Sequence, residues 1–344
     1  MPDLRVKLGS LSLANPVLAA AGTFGYGLEF ARTVRLERLG ALVTKTLTLQ
    51  PRAGHQPPRL VETPSGMLNA VGLQNVGLDA FLRDKLPALR VLRVPLIVSV
   101  LGESADELAR MAQALDAADG VAALELNLSC PNLQHGSGLG ARGSGQGPET
   151  PSPQPPAPSP QPRRVSLVSH DPEATERMVA AARGATRKPV LAKLSPDVTD
   201  LAPIAQAAER AGADALTLGN TFVGMSLDPA ARRSRLGTLT GGLSGPAIRP
   251  LAVYRVWYTA RSVSIPLIGL GGIVRAEDAL EFFLAGASAV AVGTANFADP
   301  RAPLRILRGL ERYCERHGIQ SLQEIRGAIQ HDERTMGKPE TSNR

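Results

Sequence analysis

The sequence predicts a (β/α)8 TIM barrel, an α/β fold in which eight parallel strands each lead into a helical crossover. Three observations predict it. Apolar strand-like runs alternate with helix-like segments, the strand-like runs number eight, and the repeat spreads over a length of roughly 250 residues or more, where such a sheet closes on itself. A doubly wound open sheet also fits the alternation, but eight is the count that closes.

Taken in order, LRVKL and LSLAN around Gly9-Ser10 form a hairpin ahead of the barrel, expected to plug its bottom. The barrel strands are VLAAAG (17–22), ALVTKT (41–46), LIVSVLG (96–102) and AALELNLS (122–129), then VLAKLS (190–195), ALTLGN (215–220), PLIGLGG (266–272) and AVAVGT (289–294). Between them, ADELARMAQALDAAD carries Leu108, Met111, Ala112 and Leu115 at helical spacing, and AEDALEFFLAGA does the same with Leu280, Phe283 and Leu284. In AALELNLS the alternation has period two, so Leu124, Leu126 and Leu128 face the helices while Glu125, Asn127 and Ser129 face inward.

Composition narrows the classes. With 344 residues, 43% hydrophobic and 3% aromatic, the chain can bury a full core built from Leu, Val, Ile and Ala. The net charge of +7 comes from scattered Lys and Arg with few aromatics among them to stack bases, so it reads as a surface that attracts anionic small molecules rather than nucleic acid. Cys130 and Cys314, far apart and without a CxxC, cannot build a disulfide framework or an iron-sulfur site within this chain, which points to a reducing compartment. The start MPDLRVKLGS lacks the regions of a signal peptide and no apolar run approaches a membrane span, so a cytoplasmic protein with no membrane partner is expected.

Barrels of this kind keep their chemistry at the C-terminal ends of the strands. Here those ends carry Gly22, Lys45-Thr46, Ser99, Asn127 to Cys130, Lys193, Asn220-Thr221, Gly271-Gly272 and Gly293-Thr294. Glycine turns after strands seven and eight are where barrels commonly bind phosphate, so Gly271, Gly272, Gly293 and Thr294 form the expected phosphate seat. With lysines at strands two and five, flavin mononucleotide has the matching parts, and Lys193 would stabilise the negative charge of the reduced ring. No metal site is expected.

NLSCPN, SGMLNAVGLQN, VTKTLTLQPR, AKLSP, GGLSGPAI, GLGG and AVGTANFADP together resemble the FMN-containing catalytic subunit of class 1B dihydroorotate dehydrogenases, from LRVKL to about residue 330. The resemblance implies oxidation of dihydroorotate to orotate in de novo pyrimidine (UMP) synthesis, with Cys130 as the base and a hydride passed to FMN. A thiol suits that task because nearby lysines can lower its pKa toward neutrality. The resemblance also places Asn69, Ala70, Val71, Gly72, Leu73, Asn127, Asn220 and Thr221 on the substrate, with Lys45 serving both substrate and flavin. Around FMN it places Ala21, Thr46, Ser99, Asn127, Gly219 and Gly245; relatives often carry Ser in place of Ala21 and Asn in place of Ser99.

A partner subunit carrying FAD and a 2Fe-2S cluster, passing electrons to NAD in a heterotetramer around a catalytic homodimer, is implied in the same way. A fumarate-linked class 1A homodimer, a dihydropyrimidine dehydrogenase-like enzyme, a flavin-free phosphate-binding lyase or isomerase, and a catalytically silent subunit remain alternatives. The chain is expected to be one catalytic domain over 1–330, with a disordered proline-rich insertion at about 139–169 after strand four and a disordered tail at 331–344. Asp171, or His170 before it, is expected to open the helix that follows the insertion.

Overall fold

The computed structural model describes residues 2–129 and 168–330. Cys130, nearly all of the proline-rich insertion and the 331–344 tail lie outside the described residues. The eight expected strands are present as Val17–Ala19, Ala41–Val43, Leu96–Val100, Ala123–Asn127, Val190–Leu194, Ala215–Leu218, Leu267–Leu270 and Ala289–Val292. They pair in sequence order, every neighbour parallel, and the eighth closes onto the first through Val290 opposite Val17. The strands stop short of the sequence-based boundaries mostly at their C-terminal ends, where the chain turns into the mouth. After Leu218, for example, Gly219 adopts a positive φ of 139°, and a side chain there would run into the Leu270 carbonyl.

The hairpin is Val6–Leu8 paired with Leu11–Leu13. Its alternation is strict: Lys7 and Ser12 are exposed, while Val6, Leu8, Leu11 and Leu13 are buried. Those four pack against Ala41, Ala123, Ala215 and Ala289, the inward residues at the strand starts, and plug the barrel as expected. Each fully buried Leu or Val contributes about 1.5–3 kcal/mol of transfer free energy. A second, larger core lies between the strands and the helices and contains Leu124, Leu126 and Leu128, the outward face of strand four. Cys314 is fully buried in that core, where burial pushes its thiol pKa up, as befits a small hydrophobe.

The helix Ala105–Asp116 buries the four residues its spacing predicts. In Ala276–Ala285 the buried stripe includes Phe282 together with Leu280 and Phe283, whereas Leu284 is only half-buried, because the helix packs against the barrel on one side and against Ala302–His317 on the other. Asp171 caps Pro172–Ala185 by accepting from the Glu173 and Ala174 amides. The short 3-10 turn Val168–His170 precedes that cap and overlaps the last residues of the insertion as delimited from sequence.

Two further departures matter. The first crossover holds the 3-10 turns Leu28–Phe30 and Leu36–Arg38 instead of an α-helix, entered through Gly25 and Gly27, both at positive φ. The loops after strands two and six also build a four-stranded antiparallel sheet from Leu60–Thr63, Gly66–Asn69, Gly241–Ser244 and Phe222–Gly224. The expected motifs SGMLN and GGLS lie on it.

Candidate active site

One cleft opens at the C-terminal mouth, with an empty volume of about 1050 Å³ that includes space open to solvent. Its inner wall comes from the barrel: Lys45 and Thr46 after strand two, Asn127 on strand four and Lys193 on strand five. Its outer wall comes from the mouth sheet: Leu60, Met67, Asn69 and Ser244. Asn220 and Thr221 join from strand six, and Val71 and Leu73 from the turn after the mouth-sheet hairpin. Ala21, Gly245, Gly271, Gly272, Gly293 and Thr294 complete the opposite end.

The polar groups of the inner wall are held in place before any ligand arrives. Asn127 Nδ2 donates to Thr46 Oγ1 at 3.1 Å, and that hydroxyl lies 2.9 Å from Ser99 Oγ. Ser99 is fully buried and lies beneath Thr46 rather than in the cleft wall. Asn220 Nδ2 donates to the Ser129 hydroxyl at 2.8 Å and to its carbonyl at 3.1 Å, while Asn220 Oδ1 accepts from the Thr221 amide at 2.8 Å. Cys130 follows Ser129 directly in sequence and lies outside the described residues. Lys193 Nζ is 4.0 Å from Glu125 Oε1, both side chains being almost wholly buried, and Glu125 Oε2 accepts from Thr217 Oγ1 at 3.1 Å.

The outer wall is tied down just as firmly. Asn69 Nδ2 donates to the Gly242 carbonyl at 3.2 Å, across the pairing of two mouth strands. In the following turn Asn75 accepts from the Thr48 and Gly77 amides and donates to Thr48 Oγ1 and the Leu73 carbonyl. Leu73 is held there at a φ of 57°, a costly conformation for a branched side chain. Val71 and Leu73 face the cleft; Ala70 packs away from it against Leu68 and Leu236, and Gly72 and Gly219 are likewise absent from the cleft wall.

The glycine end is a backbone cradle. A Cβ on Gly272 would stand 2.9 Å from the Gly245 carbonyl and 2.7 Å from Arg249 Cβ, and one on Gly245 would stand 2.7 Å from Gly66 Cα. The Gly271-Gly272 turn is fixed from behind: Asp278 Oδ2 accepts from the Val274 and Arg275 amides at 2.9 and 3.0 Å, and Asp278 Oδ1 is paired with Arg249. Such a wall lets main-chain N–H groups approach an anion closely.

Reading strand ends did not single out Thr23, Leu60, Met67, Ser244, Ile248 and Phe297, which also line the cleft. For Met67, Ser244, Ile248 and Phe297 the signal was available, since all lie inside the quoted motifs; Leu60 carries no local signature. Glu125 falls on the inward face, as the alternation predicts, although no role follows from that alone.

A family profile described as dihydroorotate dehydrogenase matches residues 3–144 and 158–314, leaving part of the proline-rich segment uncovered. A protein of Trichlorobacter lovleyi named "Dihydroorotate dehydrogenase B (NAD(+)), catalytic subunit" is 48% identical over 96% of this chain and 99% of its own length. Proteins of the same name from Pelobacter propionicus and Geobacter sulfurreducens are also 48% identical over the same shares of each chain. With a closed barrel, its polar mouth and near full-length matches of this kind, the chain belongs to the dihydroorotate dehydrogenase family.

Proposed function

We propose that this protein oxidises dihydroorotate to orotate in de novo pyrimidine synthesis, as the FMN-bearing catalytic subunit of an NAD-linked, class 1B enzyme. The observation that carries the reading is the gathering of Lys45, Lys193, Asn69, Asn127 and Asn220 in one cleft that ends in a glycine cradle. The names of the relatives favour class 1B over the fumarate-linked, dihydropyrimidine dehydrogenase-like, lyase and silent-subunit alternatives.

The residues fit FMN. A cradle in which Gly245 and Gly272 leave no room for a Cβ suits a phosphate seated on backbone N–H groups, with Gly271, Gly293 and Thr294 beside it. Lys193, at the other end, suits an electron-rich ring edge, and Ala21, Thr46 and Asn127 line the space between. Ser99 and Gly219 support that wall from behind it. When bound, FMN supplies the acceptor for a hydride.

The chain's own residues do the rest. Asn69, Asn127 and Asn220 present amide donors and acceptors that match the rim of a planar pyrimidine, and Thr221, Val71 and Leu73 close around it. The Ala70 and Gly72 positions shape the same turn through the backbone. Lys45 reaches both substrate and cofactor. Cys130, as thiolate, takes the proton from C5 of dihydroorotate while the hydride leaves C6, so that the C5–C6 double bond of orotate forms. Ser129, anchored by Asn220, fixes the chain immediately before that thiol. The mouth sheet, through Leu60, Met67, Asn69 and Ser244, forms one wall of the cleft in which the pyrimidine would lie.

A partner subunit carrying FAD and a 2Fe-2S cluster would take the electrons on to NAD, the catalytic chain forming a homodimer within that heterotetramer. A cytoplasmic location belongs to the same reading; no described helix is long and apolar enough to cross a membrane. The test is the anaerobic visible spectrum of the purified chain before and after dihydroorotate is added. Bleaching of a yellow flavin band is expected. A yellow protein that does not bleach points to another pyrimidine or a silent subunit, and a colourless one that cannot be reconstituted with FMN discards the flavin.

A further inference from the structure

Three adjacent strands place Glu125, Lys193 and Thr217 on the inner face of the barrel; in register, Lys193 stands beside Asn127 on one side and Thr217 on the other, with Glu125 one inward position deeper. Lys193 lines the cleft and Glu125 does not. Glu125 is 2% exposed; one carboxylate oxygen takes the Thr217 hydroxyl at 3.1 Å, and the other, Oε1, is buried without a hydrogen-bond partner among the described residues. That oxygen points to Lys193 Nζ across 4.0 Å. The gap exceeds hydrogen-bond length, so the two interact as charges and the ammonium keeps its donors for the cleft.

A packing role accounts poorly for this arrangement. A buried ion pair gives little net stability over apolar residues of the same volume, and the neighbouring inward position on strand five is filled by a plain leucine, Leu191. A buried carboxylate with one oxygen lacking a hydrogen bond costs stability rather than supplying it.

We propose that Glu125 is a positioning residue for the redox step: acting through Lys193, its negative charge offsets the ammonium that faces the flavin and keeps the reduced flavin from being over-stabilised. The proposal rests on the reading of the cleft as an FMN site. An uncompensated cation beside the ring would hold electrons there. With the counter-charge beneath it, the same lysine still orients the ring while leaving the electrons free to move to the partner subunit.

The test uses the full-length flavin-loaded chain and an anaerobic redox titration of its flavin. Glu125→Gln keeps the shape and the Thr217 contact while removing the charge. Its equilibrium constant for flavin reduction is expected to rise about tenfold, equivalent to about 30 mV for a two-electron couple, with FMN content unchanged. Glu125→Asp, which keeps the charge, should stay within about threefold of the parent. An unchanged or lowered potential in Glu125→Gln overturns the proposal. Should that variant fail to accumulate, Glu125→Ala decides instead: it removes the same charge and must raise the potential, so no change or a fall overturns the proposal. If the parent chain bleaches with dihydroorotate while Glu125→Gln titrates identically, only the role of Glu125 falls; a parent that cannot take up FMN removes both readings.

Discussion

At the bottom of the barrel Val6, Leu8, Leu11 and Leu13 press into a ring of alanines at Ala41, Ala123, Ala215 and Ala289. At the mouth, two to four residues further along three of those strands, the inward positions are Lys45, Glu125, Asn127 and Thr217, with Lys193 above Leu191 on strand five. One strand can therefore serve two environments, because inward residues recur every second position and each layer of the barrel is filled separately. The bottom is dry and complete within the chain. The mouth instead collects buried polar groups, a residue at positive φ (Leu73) and glycines where backbone packs too closely for a side chain, features that weaken a core but suit a ligand. The division of labour between stability and chemistry runs along the barrel axis.

Three substitutions can break that comparison. The largest effect is expected from Cys130→Ala at the mouth: loss of a proton-transfer group should lower turnover by about 10²–10⁴-fold, with the flavin retained and the unfolding midpoint close to the parent. Stopped-flow bleaching with dihydroorotate measures it, and near-normal bleaching would take the role of base away from Cys130. Next, Leu8→Ala in the plug should cost about 2–5 kcal/mol in urea unfolding while leaving turnover at 25 °C within about twofold. A comparable collapse of turnover in the folded variant would mean that the two ends are not separable. The smallest effect is expected from Gly272→Ala, where the added methyl meets the Gly245 carbonyl and the residue sits at a φ of 70°. FMN affinity should fall about tenfold, or about 1.4 kcal/mol, by fluorescence titration. If affinity holds and stability drops instead, the cradle is a structural turn of the same kind as those at the bottom.

Much of the site was legible locally. Period-two alternation in AALELNLS assigns Leu124 and Leu126 to the helices and Asn127 to the mouth, and the same pattern puts Lys193 inward in VLAKLS. Ser99, Gly219, Ala70 and Gly72 illustrate the limit. Their motifs place them near the site, yet whether a residue lines the cleft or supports its wall depends on packing that a motif does not encode. The first crossover shows the same limit: barrel repetition argued for a helix there, but the segment closes in two separate 3-10 turns instead.

The sequence by itself determined the barrel, its plug and the inward face of strand four, because each follows from spacing; between Asp171 and His170, both open as the helix start, the structure picks Asp171. Only the tertiary structure decided the mouth sheet and the Glu125–Lys193–Thr217 grouping. The sheet joins strands of three or four residues, too short to show a period, and pairs Asn69 with Gly242 across 173 residues of chain. Glu125 and Thr217 are 92 residues apart and meet only once strands four and six have both paired with strand five. Contacts between distant segments leave no local pattern in a chain; they exist only after the backbone hydrogen bonds of the sheet have brought those segments together.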